Sequence, residues 1–186
     1  REDHRHGIIH DCLPTPEGIE VCRDYHIQMP MQSAFIGWKQ EPDEYLERIL
    51  GHDRLEKLNP IRTFRDNNIV VSFGSDAPCT TPDPIAWMDR AVNNDNAGQA
   101  VSVQDALRMC TYNGAWAAFD EQERGSLEAG KIADMAVLSE NPYTVPKNKL
   151  SGLRVERLYL GGKPYESCRE GILPMMLRGL TSRNKA

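Results

Sequence analysis

Hydrophobic positions along this chain switch between two periods, and each switch predicts a change of element. The run Ile69-Val70-Val71-Ser72-Phe73 is β-branched, nearly continuous and bounded by Asn68 and Gly74. Apolar residues on both parities predict a strand buried on both faces, as in parallel sheets. Gly7 to His10, carrying Ile8 and Ile9, predicts the end of another buried strand, and His26 to Met31 a third. Between and after them the spacing becomes helical. Thr15 before Pro16 reads as an N-cap followed by a proline at the first helical position, where the missing N–H costs nothing; that helix runs to about Tyr25. Pro42 to Leu58 predicts one helix or two, with Tyr45, Leu46, Ile49 and Leu50 on one face, and Pro60 to Asn67 a short helix. Pro84–Val92, Val103–Met109 (opened by Ser102) and Asn113–Phe119 predict three more, with a turn-rich loop over Asn93–Gly98. Strand and helix alternate through the first two-thirds, which argues for an α/β class with βα units and a parallel sheet.

The last third reads differently. Gly125 to Lys131 is a turn and Asp134 to Leu138 a strand. Val155 to Leu160 alternates apolar and polar, and Gly161-Gly162 turns it into Lys163-Pro164-Tyr165-Glu166, a β-hairpin. Ser167 to Ala186 forms a tail with an apolar patch over Ile172–Leu180. The chain therefore divides into βα units over 1–124, further strands over 125–166 and a tail over 167–186. There is no internal repeat.

Composition narrows the class. The 186 residues suffice for one domain with a real core. A formal net charge of −5 and the lack of a basic stripe argue against nucleic-acid binding. No apolar run approaches the roughly 20 residues that span a bilayer. Five cysteines (Cys12, Cys22, Cys79, Cys110, Cys168) are odd in number and lack CxxC spacing, so neither a disulfide framework nor a zinc knuckle is expected, and a cytoplasmic setting fits. The first residue is Arg1 and no signal-type apolar region follows it, so a processed or excised chain is expected.

Few residues offer chemistry. Asp76 stands just past the strongest strand, in Gly74-Ser75-Asp76-Ala77-Pro78, at the end where parallel α/β folds place working residues. A carboxylate there can bind a metal and take a proton from water; it can equally cap a turn. His10 holds the matching place on another βα unit, where a histidine is a metal ligand or a surface residue. His4-x-His6 has the spacing of a metal-binding pair, but the charged residues around it, Arg5 among them, mark a solvated terminus. His26 and His52, with no carboxylate partner assigned to them, read as structural, and Glu41, Asp43, Glu44 and Glu47 as a solvated face. Trp38, Trp87 and Trp116 read as core or pocket wall. No phosphate loop, nucleophile elbow or Cys/His dyad is present.

Five segments in order resemble the amidohydrolase superfamily, specifically its amidohydrolase-3 type, which includes deformylase-like and N-acyl amino acid hydrolases. They are Arg5 to His10 with Leu13 to Glu17; Gln32-Ser33-Ala34-Phe35; Phe64 to Pro78; Ser102 to Leu107 running into Thr111 to Ala115; and Gly125 to Leu138. The resemblance covers residues 5 to 166. It implies the C-terminal part of a (β/α)8 TIM-like barrel with C-terminal strands of a small β-sandwich. It places His10 on the sixth barrel strand as a metal ligand, and Asp76 on the eighth as a metal ligand and the base that activates water. The family's remaining ligands, a His-x-His pair, a mid-barrel carboxylate or carboxylated lysine and a fifth-strand histidine, would all lie before Arg1. The implied cofactor is a divalent metal, zinc by type, held by the intact enzyme rather than tightly by this chain. The implied substrate is a small amide-type molecule, drawn in by loops such as Gln32 to Trp38 and Ala77 to Pro84, with no individual substrate-binding residue assigned. A rival reading is a non-catalytic interaction domain derived from the same barrel.

A three-strand slice of a barrel carries two unpaired parallel edges. Sedimentation of the chain is expected to show concentration-dependent self-association, or capture of a preceding N-terminal part; a compact monomer at high concentration would overturn this.

Overall fold

The computed structural model describes residues 3–165. Its centre is a parallel ladder. β1 (Met29–Met31) pairs with β2 (Val71–Phe73) in the register Met29↔Val71, Pro30↔Ser72, Met31↔Phe73. Segment 6–10 runs along the other side of β1. There Gly7 bridges Gln28, Ile8 N–H donates to Gln28 O at 3.0 Å and His10 N–H to Pro30 O at 3.1 Å. The expected strand over Gly7 to His10 is thus reduced to a bridge, and Pro30 is the reason. Its position faces segment 6–10 but has no N–H to give, so one rung of that ladder is missing.

α1 (Pro16–Asp24) joins segment 6–10 to β1. Thr15 caps it, its Oγ1 accepting from Gly18 N–H at 3.1 Å, and Cys22 is buried. α2 (Asp43–Leu50), α3 (His52–Leu55) and α4 (Ile61–Asp66) lie between β1 and β2. Gly51, at φ 79°, divides the expected Pro42–Leu58 helix in two. After β2 come α5 (Pro84–Val92), capped by Asp83, α6 (Val103–Cys110), opened by a Ser102/Asp105 capping box, and α7 (Tyr112–Ala117). Met29, Met31 and Val71 from the ladder, Ile61 and Phe64 from α4, Met88 and Ala91 from α5, Ala106 and Met109 from α6, and Leu150 from the turn over 147–152 form one core.

The open side of β2 is closed by a side chain. Val70 O accepts from Met29 N–H, so Val71 O points the other way, and Asn113 Nδ2–H from α7 donates to it at 2.7 Å. β3 (Met135–Leu138), β4 (Val155–Leu160) and β5 (Lys163–Pro164) form an antiparallel sheet in the order β3-β4-β5, with a bulge at Val137/Leu138. Val137, Val155 and Leu160 remain exposed on it. The apolar tail patch Ile172–Leu180, Cys168 and the hairpin's Glu166 lie outside the described residues.

Several expectations need correction. Ile8 and Ile9 are 45% and 63% exposed rather than buried, because segment 6–10 pairs only with β1 and nothing described covers its other side. Tyr45 and Ile49 are likewise exposed, so α2 buries only part of its apolar face. Of the two places expected for the tryptophans, core or pocket wall, the core is ruled out: all three are half-buried outside it, and Trp116 lines a cavity with Arg5 and Ile27. His52 does have carboxylates nearby: Glu47 at 3.1 Å and Glu56 at 3.5 Å, on an exposed helical surface.

The largest departure is Arg5. Its side chain is only 8% exposed, far from a solvated terminus. It stacks over Trp116 and Phe119 with its guanidinium carbon 4.5 and 4.2 Å from their ring centres. It donates to Asp3 and to both carboxylate oxygens of Glu121, each of the latter at 2.8 Å, and to Trp116 O. This clamp ties the first described residues to the end of α7. The Arg5 hydrogen bonds hold the Glu121 carboxyl at about 2, below its ordinary 4.5. A depressed folded-state pKa contributes stability above the unfolded value and loses it as pH falls toward the folded one. Thermal stability is therefore expected to drop between about pH 4.5 and 2 in the parent, and to drop less in Glu121→Gln. Equal pH slopes in melts of the two proteins would refute the assignment.

Candidate functional site

Parallel pairing brings the C-terminal ends of segment 6–10, β1 and β2 to one edge. Three side chains leave the backbone there. His10 follows the Pro30 rung, Gln32 follows β1 and Asp76 follows β2 by three residues. His10 Nε2 and Asp76 Oδ2 lie 3.8 Å apart, with side chains 40% and 42% exposed. The backbone turns sharply at both: φ is 72° at His10, 35° at Asp11 and 53° at Asp76. His and Asp tolerate this left-handed region better than most side chains, but each still costs on the order of 1 kcal/mol. Such conformations concentrate where function demands them.

Local bonds hold the Asp76 turn. Gly74 N–H donates to Met31 O at 3.0 Å, Ala77 N–H to Ser75 Oγ at 3.1 Å, Cys79 N–H to Asp76 O at 2.9 Å, and Thr80 Oγ1–H to Ser75 O. Asp76 Oδ atoms take no part in these bonds, so the turn is closed by its neighbours and leaves the carboxylate outward. The loop after His10 is pinned by Asn59 N–H donating to Cys12 O at 2.7 Å. The Phe35 ring stands 5.8 Å from the His10 ring, and Trp38 packs edge-on against Phe35 at 4.9 Å. Trp38 thus belongs to the wall beside His10.

Two donors 3.8 Å apart suit a shared divalent ion. Tetrahedral bonds of about 2.1 Å would set nitrogen and oxygen roughly 3.4 Å apart. Among the described residues no group of three or more His, Cys, Asp or Glu stands close enough to hold a metal. His4 and His6 do not join the pair. They sit at the opposite end of segment 6–10, His6 N–H donating to His4 Nδ1 at 3.0 Å, with ring centres 4.5 Å apart. His26 lies on an exposed turn at φ 52°. No described cysteine is disulfide-bonded, and burial pushes the Cys110 thiol up to about 12, so it is no nucleophile.

Sequence reasoning placed Gln32 in a loop. The structure buries it to 7% exposure beside Gly74, with Nε2–H donating to Pro30 O at 3.2 Å and Oε1 unpaired among the described residues. Only the alignment of three strand ends reveals it, since nothing in Gln32-Ser33-Ala34-Phe35 singles out the glutamine.

The family model for the amidohydrolase family matches residues 1–165. The N-substituted formamide deformylase of Arthrobacter pascens is 34% identical over 152 residues, covering 78% of this chain and 26% of that protein. A metal-dependent hydrolase from Pyrococcus furiosus superposes with a TM-score of 0.66 at 24% identity, covering 75% of this chain and 29% of that one. An adenosine deaminase from Xanthomonas campestris, solved with bound zinc, superposes with a TM-score of 0.62 at 18% identity, covering 96% and 42%. The two structural likenesses are of fold. The chain spans between about a quarter and a third of the length of the curated relatives it matches.

With two donors in place of the usual three or four, the 186-residue chain is expected to bind zinc weakly and without stoichiometric saturation. Calorimetric titration showing one tightly bound zinc per chain, lost in His10→Ala, would contradict this.

Proposed function

The chain belongs to the amidohydrolase family, and from that premise we propose that it is the C-terminal portion of a metal-dependent hydrolase barrel that cleaves amide-type C–N bonds. Segment 6–10, β1 and β2 correspond to barrel strands six to eight, with helices through residue 124. β3 to β5 correspond to one part of a small β-sandwich. The observation that carries the reading is the His10–Asp76 pair, 3.8 Å apart at the C-terminal edge of a parallel ladder. That edge is where barrel enzymes work. The deformylase named above acts, by its name, on an N-substituted formamide, a bond of this kind.

His10 and Asp76 would hold the metal, zinc by the family resemblance. When bound, the metal supplies positive charge that polarises a scissile carbonyl and acidifies water. Asp76 is exposed enough to meet a water, and its Oδ2 would accept a proton there and pass it to the leaving nitrogen. His10 keeps its ring against Phe35 and so fixes its nitrogen toward Asp76. Phe35 and Trp38 line one side of the approach. The remaining ligands would come from residues preceding Arg1, so the isolated chain is inactive and its open edges seek that N-terminal part, or a second copy. Among the described residues no helix is long and apolar enough to cross a membrane. The four described cysteines, all free, fit a reducing, cytoplasmic setting.

The decisive test is the reading frame ahead of Arg1 together with one variant. The proposal expects a His-x-His pair after a strand upstream, and expects Asp76→Asn in that full-length protein to lower kcat by about 10³-fold on formamide- or amide-type substrates. A frame that opens at Arg1, or full activity in Asp76→Asn, would replace this reading with that of a non-catalytic interaction domain.

A further inference from the structure

Residues 38–58 are tied only loosely to the body of the molecule. They hold α2 and α3, which pack chiefly on each other, and no residue from 37 to 58 is buried. Among the described residues, every backbone hydrogen bond made across this unit closes locally, from Trp38 N–H on Phe35 O to Leu58 N–H on Leu55 O. Its ion pairs, His52 with Glu47 and Glu56, are internal as well. One hydrogen bond crosses to the body: Asn96 Nδ2–H donates to Glu56 O. Tyr45 and Ile49, on the apolar face of α2, lie open to solvent. Segments with few buried apolar contacts and exposed backbone bonds open at low free-energy cost.

The space beneath the unit is unfilled. A cavity of about 290 Å³ separates Leu46, Leu55 and Leu58 from Phe35, Ile36 and the loop over 94–97. Both ends of the unit turn through left-handed backbone, at Gly37 (φ 62°) and Asn59 (φ 52°). A Cβ at Gly37 would stand 2.8 Å from Asp95 Oδ2 and 2.9 Å from Arg90 Nη1, so conformation and space both call for glycine there. On the body side each pivot is anchored. Ile36 belongs to the core, and Asn59 N–H donates to Cys12 O at 2.7 Å while its carbonyl accepts from Ile61 N–H at 2.8 Å. The unit also reaches the proposed reaction centre. Its first residue, Trp38, packs its ring on Phe35 at 4.9 Å, and the Phe35 ring stands 5.8 Å from that of His10. A swing about Gly37 therefore moves the aromatic wall beside His10.

We propose that residues 38–58 are a hinged lid that moves as one body about Gly37 and Asn59, with Asn96 as its latch, and gates access to the His10–Asp76 edge from the Phe35 side. What the lid guards rests on the hydrolase reading; the motion itself does not. With the latch made and the cavity unfilled, the structure holds the lid ajar. Closure seats Leu46 and Leu55 on Phe35 and Ile36, removes apolar surface from water and narrows the approach. Release of the latch frees the lid to open.

The test follows hydrogen–deuterium exchange in the 186-residue chain. Amides of α2 and α3 are expected to exchange through one common opening, at least about 10-fold faster than those of α5 and α6. Asn96→Asp keeps the Oδ1 that accepts from Gly98 N–H at 2.9 Å but removes the donor to Glu56 O. It is expected to speed exchange in both helices by the same factor, about 5-fold, and to leave α5 and α6 unchanged. Should α5 lose protection as well, Leu46→Phe decides: it fills the cavity and is expected to slow both helices together. In Asn96→Asp, the ring NMR signals of Trp38, Phe35 and His10 are expected to shift, while those of His4 and His6, at the opposite end of segment 6–10, stay in place. Protection in α2 and α3 equal to that in α5 and α6, different factors for the two helices, or unmoved His10 signals would overturn the proposal. Because no turnover is read, the two readings fail separately. A common opening coupled to His10 alongside a fully active Asp76→Asn enzyme would sink the hydrolase reading and leave the hinged unit. Helices as protected as α5 alongside an inactive Asp76→Asn enzyme would sink the lid alone.

Discussion

Parallel pairing through β1 is the constraint on which the rest of the molecule hangs. Met29 and Met31 turn their backbone groups to β2, while Gln28 and Pro30 turn theirs to segment 6–10. A single short strand therefore sets the register of both neighbours. Antiparallel pairing would send alternate strand ends to opposite edges. Parallel pairing sends His10, Gln32 and Asp76 to one edge, although they are separated by more than sixty residues of chain. The core supports this centre directly, because Met29, Met31 and Val71 are buried against α4, α5 and α6.

Each side of the ladder is managed differently. On the β2 side, Asn113 supplies a donor in place of a further strand and keeps Val71 O satisfied. On the other side, Pro30 removes one rung, and Ile8 and Ile9 stay exposed. Exposed β-branched residues on an unpaired edge are what a barrel slice would carry where its next strand belongs. The Arg5 clamp compensates in part. It anchors this weakly paired segment to α7 through an ion pair and two aromatic faces rather than through backbone rungs.

The chemistry of the edge follows from backbone shape as much as from residue type. Left-handed conformations turn the chain sharply at His10, on the last rung of segment 6–10, and at Asp76, three residues past β2. The bonds within Ser75 to Thr80 spare the Asp76 carboxylate, which keeps it available to a cation or to water. Phe35 then serves two neighbours, as a wall for His10 and for the cavity beneath α2 and α3.

Much of this was legible in the order of residues alone. Thr15-Pro16 and Ser102 with Asp105 cap helices by local hydrogen bonds, and local rules suffice for them. The β-branched run marked β2, and a carboxylate just past a parallel strand marked Asp76. His10 needed the resemblance of the surrounding segments, since a lone histidine at a strand end says little. Tertiary structure decided what depends on distant partners. Arg5, in a charged stretch, reads as solvated until Glu121, Trp116 and Phe119 are brought to it across more than a hundred residues. Ile8 and Ile9 read as buried because hydrophobicity reports what a residue prefers, not whether a partner is present to cover it. Asn113 is an ordinary polar residue in sequence, and only the packing of α7 beside β2 determines that it caps a strand edge.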